Sequence, residues 1–202
     1  LVELIEESEV VLFHDQFKEA YAAIHGNGQE VIKTRSKTFR RWIARLAWEE
    51  MDKSLNGDTL QTVLQILEGK ALFEGPQYPL SVRTAKDGDA IWYDLGDGRT
   101  VRIGKSGWEI VERPPILFRR LPHQETQVEP LRGGDIRELL GFVNLPEKEQ
   151  KAELSDEQVL FLVWLVVGFV AGFPKPILVC YGPQGSAKST LSRISKALID
   201  PS

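Results

Sequence analysis

The chain has 202 residues, with 25 lysines and arginines against 29 aspartates and glutamates and a formal net charge of −4. That balance excludes a protein that coats polyanions with a uniformly basic surface, and a hydrophobic content of 42% allows one or two small domains. A single cysteine, Cys180, excludes a disulfide framework and points to a reducing cytoplasm.

Residues 1–35 admit two readings. Val10, Phe13, Phe17, Ala20, Tyr21 and Ile24 fit one face of a helix. Gly26, Asn27 and Gly28 instead favour a tight turn between strands over 19–25 and 29–34. The hairpin is preferred, and the helical alternative would give the element order of a winged helix domain. Residues 36–51 predict the clearest helix, because Phe39, Trp42, Ile43 and Leu46 repeat on one stripe. Opposite that stripe lie Lys37, Arg41 and Arg45, with Arg40 beside them and Lys33 and Arg35 just before. These six side chains are the candidate nucleic-acid contacts, able to pair with several phosphates. The same pattern also describes a solvated helix face, with Glu49, Glu50 and Asp52 supplying opposite charge.

A second helix over 58–68, capped by Asp58, would bury Leu60, Val63, Leu64 and Leu67. Strands near 80–84, 90–95, 100–103 and 108–112 then alternate with Lys-Asp-Gly-Asp, Gly-Asp-Gly and Lys-Ser-Gly, which is hairpin turn chemistry. Trp92, Tyr93 and Trp108 could stack on bases, but residues of this kind usually fill the inner face of a small sheet. Asp87, Asp89, Asp94 and Asp97 are assigned to turns. His14, His25 and His123 have no Cys or His partners at metal-ligand spacing.

Residues 113–135 are rich in Pro, Gly and charge and form a connector, with a second basic pair at Arg119 and Arg120. Beyond a short helix after Asp135, Ser155 and Gln158 make a capping box for an apolar run over 159–173. That run is shorter than the roughly 18–20 residues a bilayer needs. It predicts a helix closed by Pro174 and buried on most sides, with no membrane partner.

The strongest signal follows. The apolar run 177–181 predicts a buried parallel strand, with Cys180 a small hydrophobe inside it. The loop Gly182, Pro183, Gln184, Gly185, Ser186, Ala187, Lys188, Ser189, Thr190 then opens a helix whose Leu191, Ile194 and Leu198 share a face. Gly182, Gly185 and Lys188 match the phosphate-loop spacing G-x-x-x-x-G-K-[ST], with Ala187 where the second glycine stands. Glycines let successive amides turn toward an anion, and the helix N-terminus adds partial positive charge. Lys188 is the expected catalytic cation on the β- and γ-phosphates, and Ser189 the ligand for Mg²⁺ accompanying ATP. Ala187 fits the pattern if it already occupies the first turn of that helix.

The run Gly-Pro-Gln-Gly-Ser-Ala-Lys-Ser-Thr (182–190), with Ala-Leu-Ile-Asp-Pro (197–201), resembles the replication ATPases of phages and mobile elements. These are AAA+ helicase-like proteins grouped with superfamily 3 and with primase–helicase fusions. Upstream, Leu-Phe-His-Asp (12–15), residues 35–43, Gly107-Trp108-Glu109 and Phe118-Arg-Arg fit the resemblance, although no primase polymerase motif is visible. The resemblance implies an ATP-driven motor on DNA that assembles as a homo-oligomer, a hexamer in the family. The family's acidic metal motif, sensor and arginine finger would lie beyond Ser202. The chain by itself is therefore expected to bind ATP without hydrolysing it.

The expected architecture is an α+β module over 1–112, a helix pair with an antiparallel β-meander. The connector 113–135 follows, and then residues 136–202 form the start of an α/β P-loop NTPase domain. An alternative function is a nucleic-acid- or partner-binding module in which the nucleotide acts mainly as a switch.

Overall fold

The computed structural model describes residues 1–8, 10–26, 28–148 and 153–202, with the backbone alone at 25, 26, 28 and 29. A short helix α1 (Val2–Glu7) inserts Ile5 into the first core. Strands β1 (Val10–His14), β2 (Ala20–Gly26) and β3 (Gly28–Lys33) form an antiparallel sheet in that order. The β2–β3 register runs from Tyr21 opposite Lys33 to Gly26 opposite Gly28, so the hairpin forms and the helical alternative does not. Its expected turn residue, Asn27, lies outside the described residues. Strand β1 is absent from the sequence expectation, because Val10 and Phe13 are spaced for a helix. It pairs with the outer edge of β2, from Val10 opposite Ile24 to His14 opposite Ala20, and so satisfies backbone groups that edge would leave open.

Helix α2 (Lys37–Met51) starts where expected, with the Ser36 hydroxyl accepting from the Phe39 amide at 3.1 Å. Helix α3 (Gly57–Phe73) differs from expectation at both ends. Its cap is Asn56, whose Oδ1 accepts from the Thr59 amide at 2.8 Å, and it continues through Gly69 to Phe73. Ala71, one turn beyond Leu67, explains the extension by adding another buried contact. Ile5, Ala22, Ile32, Phe39, Ile43, Val63, Leu64 and Leu67 form one core between the sheet and these helices. Phe13, Tyr21 and Ala23 form another on the opposite side of the sheet, closed by Leu117. The chain leaving α3 crosses the edge of β1 at Gly75. A Cβ there would meet the carbonyl oxygens of Leu12 and Ala71 at 2.7 Å, so only glycine fits.

The meander is a four-stranded antiparallel sheet of β5 (Thr84–Asp87), β6 (Ala90–Asp94), β7 (Thr100–Gly104) and β8 (Gly107–Val111). The strand expected over 80–84 is divided. β4 (Leu80–Ser81) instead pairs in parallel with β9 (Leu117–Phe118) from the expected connector. Trp92 and Tyr93 are both buried, on opposite faces of β6. Trp92 packs with Ala85, Ala90, Ile116 and Phe118, and Tyr93 packs with Val101, Ile103, Trp108 and Phe169. These aromatics are core residues, which leaves no base-stacking surface at Trp92 or Tyr93. Of the four aspartates expected in turns, Asp87 and Asp94 instead end β5 and β6, because each is paired across the sheet. Asp94 accepts from the Gly96 amide at 3.0 Å, and Asp97 pairs with Arg99 at 2.7 Å.

Helix α4 (Asp156–Phe169) opens on the expected capping box, with Ser155 and Gln158 bonded reciprocally at 3.0 and 3.2 Å. It stops short of Pro174, and Lys175 closes it by donating to the carbonyls of Val167, Gly168 and Val170. Phe161, Leu162 and Leu165 are buried, but Leu160, Val163 and Val166 are exposed. The helix is thus covered along one face rather than on most sides. Among the described residues its neighbours are the 3₁₀ turn Ile136–Phe142 with Val143, Leu145 and Leu154, the Cys180 segment, the final helix α5 (Lys188–Ile199) and, at its last residue Phe169, Tyr93 of the meander, and these cover one side. Among the described residues no helix is long and apolar enough to cross a membrane.

Candidate nucleotide-binding loop

The run 177–181 has the alternation of a strand without a strand's partner. Leu178 and Cys180 are half-buried, while Ile177, Val179 and Tyr181 are 89%, 74% and 92% exposed. Among the described residues no strand pairs with it. The expected buried parallel strand is therefore not formed, because a strand needs a hydrogen-bonded neighbour and none is adjacent. Cys180 meets the Phe161–Leu162–Leu191 cluster, as a small hydrophobe would.

The loop that follows reverses direction through three residues of positive φ: Gly182 at 145°, Gly185 at 83° and Ala187 at 59°. At Gly182 a Cβ would lie 2.9 Å from the Ser186 hydroxyl. Ala187 corrects the sequence expectation. It is not in the first turn of the helix but is the residue before it, left-handed at φ 59° and ψ 19°. An alanine thus holds the conformation that glycine would adopt freely, at a cost of about 1–2 kcal/mol.

Lys188 is the first residue of α5, and its ammonium folds back over the loop. It donates to the carbonyls of Gly182 and Pro183 at 2.9 and 2.7 Å and to the Ser186 hydroxyl at 3.1 Å. Ser189 and Thr190 are exposed on the same turn. No side chain caps α5, so the amides of its first turn face outward without an intrahelical acceptor. Helices α2, α3 and α4 are each capped by a serine or asparagine. Cation, uncapped amides and exposed hydroxyls thus lie together on the loop and the first turn of α5, and this donor set suits a polyphosphate with its Mg²⁺. Among the described residues no three His, Cys, Asp or Glu side chains cluster at metal-binding spacing. The side chain of His25 lies outside the described residues.

The opposite end of α5 is fastened to the meander. Tyr93 donates its hydroxyl to the Ile199 carbonyl at 2.9 Å, and Gln127 donates to those of Ala197 and Leu198 at 3.1 and 3.0 Å. Arg83, 6% exposed, donates to the Asp200 carboxylate at 2.8 Å and to the carbonyls of Asp94 and Glu125 at 3.1 and 2.9 Å. The segment expected as a connector therefore carries Gln127 and Glu125 into the join between α5 and β6. Sequence reasoning missed this join, since a single Arg, Tyr and Gln far apart along the chain carry no shared pattern.

The six candidate nucleic-acid residues do not remain an open set. Lys33 pairs with Glu19, Arg35 with Glu68 at 2.7 Å, and Arg45 with Glu49 at 2.7 Å. Arg40 donates to Gln61 at 2.9 Å. Lys37 and Arg41 are exposed and have no acidic partner among the described residues.

Comparison of the chain with protein-family models, with curated proteins and with solved structures finds no match.

Proposed function

We propose that residues 182–190 bind the phosphates of ATP with Mg²⁺, in a protein that uses ATP to drive movement on DNA during replication in the cytoplasm. One observation carries this reading: Lys188 and the uncapped first turn of α5 converge behind a loop with three positive-φ residues. When ATP is bound, Lys188 would exchange its contacts with the Gly182 and Pro183 carbonyls for β- and γ-phosphate oxygens. The amides of residues 185–190 would surround the phosphates, and Ser189 would take one position on Mg²⁺. ATP supplies a phosphoanhydride whose cleavage can drive a conformational change; the chain's own residues bind and orient it. Helicase or translocase action, phage or mobile-element origin and hexamer formation belong to this proposal through the loop's resemblance alone.

A second reading, nucleotide as a switch for a binding module, draws support from the fastening of α5. A change at Lys188 acts on a helix whose far end is bonded to Tyr93, Gln127 and Asp200-linked Arg83. In both readings the loop recognises phosphates first. Titration calorimetry is expected to show ATP and ADP binding with Mg²⁺ while AMP does not bind. Ser189→Ala should lose the gain in ATP affinity that Mg²⁺ brings, by roughly tenfold. Equal affinity for AMP and ATP would contradict phosphate recognition by this loop.

A further inference from the structure

Helix α2 carries an exposed indole that its own core does not explain. The buried residues of α2 are Phe39, Ile43 and Ala47, with Trp42 stacked on Phe39. Trp48 lies off that stripe and is 60% exposed. Spacings of four, four and three residues place Lys37, Arg41, Arg45 and Trp48 along one solvent-facing arc of the helix. Exposed Ala44 sits between Arg41 and Trp48, so the surface beside the indole is low. The cations stand about 6 Å apart along the helix axis, one turn each.

We infer that this face of α2 binds single-stranded nucleic acid, with Lys37, Arg41 and Arg45 on the phosphates and Trp48 as the platform for an unstacked base. The inference deepens the nucleic-acid part of the proposed function and rests on that reading. Charge complementarity supports the occupant. In a chain of net charge −4, three cations share one arc, and Lys37 and Arg41 have no acidic partner among the described residues. Arg45 does pair with Glu49, yet both side chains are well exposed. An exposed pair of this kind contributes little to stability, and a phosphate contact can replace it. Glu49 and Glu50 limit the arc toward the end of the helix.

The indole selects a single strand over a duplex. A base offers its π-face only when it leaves the stack, whereas a duplex presents base edges and phosphates. An anionic membrane fits less well, because the apolar face an interfacial helix would insert is already buried beneath α2.

The test is fluorescence anisotropy of the whole chain with labelled oligothymidine and a labelled duplex of equal length, across a salt series. Wild type is expected to bind oligothymidine more tightly than duplex, with affinity falling steeply in salt. Trp48→Ala should weaken oligothymidine binding about tenfold without changing the salt slope, and Trp48→Phe should restore most of the loss. Arg41→Ala should reduce the salt slope by about one. Full binding by Trp48→Ala together with loss in Arg41→Glu would overturn the stacking platform while leaving a basic nucleic-acid face. Equal affinity for duplex would overturn it too. Absence of binding to either probe at low salt, or capture only by phosphatidylserine vesicles, would overturn the nucleic-acid reading itself. Both positions are exposed, and circular dichroism of each variant checks that α2 stays folded.

Discussion

Ala187 is the residue at which the candidate loop departs from its template, and its backbone makes the departure testable. In a right-handed helical turn, replacing alanine by glycine costs about 1 kcal/mol. At φ 59° the same change relieves strain of similar size, offset by the greater freedom of glycine in the unfolded chain. Ala187→Gly should therefore leave thermal stability unchanged or slightly raised, with ATP affinity equal or tighter. A loss of about 1 kcal/mol would place residue 187 inside the helix instead.

Asp94 gives a second residue-scale test. Burial pushes its carboxyl above the ordinary carboxylate range, against the opposing pull of the Gly96 amide and Arg83. The folded chain then holds this proton more tightly than the unfolded chain does. Its stabilising contribution is complete below the ordinary carboxylate value and is lost as pH rises through the raised one. Asp94→Asn keeps an acceptor for Gly96 and removes the buried charge. The variant's stability relative to wild type should grow as pH rises from about 4 toward 7, measured as the difference in Tm. A difference that shrank over this range would mean the charged form is the favoured one.

At the scale of elements, the end of α5 is fastened by polar bonds from Tyr93 and Gln127, and the buried Arg83 holds Asp200 just past the helix. Arg83→Met removes the donors to Asp200, Asp94 and Glu125 while keeping much of the side chain's volume. Loss of charge-assisted bonds with buried carbonyls left behind should cost about 2–3 kcal/mol. Hydrogen exchange should quicken at the last turn of α5 more than at its first. Uniform protection along α5 in this variant would show that Gln127 and Tyr93 suffice. How legible such features are depends on range. Helices α2 and α4 were readable because Ser36 with the Phe39 stripe, and Ser155 with Gln158, act within one or two turns. Strand β1 was not readable, since its identity depends on β2 offering an edge. The run 177–181 shows the converse: its residues suit a strand, and no described strand lies beside it.

For the whole molecule, the structure joins a helix-covered sheet, a meander and a helix bearing the candidate phosphate loop. The α+β character of the first part was visible from hairpin turns and helical stripes. The bonding of Gln127 and Arg83 to the end of α5 was not, because it spans more than a hundred intervening residues in the case of Arg83 and Asp200. That join ties the helix that begins at Lys188 to the meander and to residues 125–127 at its far end.

A nucleotide-phosphate site in this loop would depend first on the Lys188 ammonium. Equilibrium titration of the wild-type chain and Lys188→Ala with ATP and Mg²⁺ tests it most directly. Wild type should bind measurably and the variant at least tenfold more weakly, about 1.4 kcal/mol or more, with thermal stability retained. Binding of equal strength by both proteins, or none by the wild type, would contradict it.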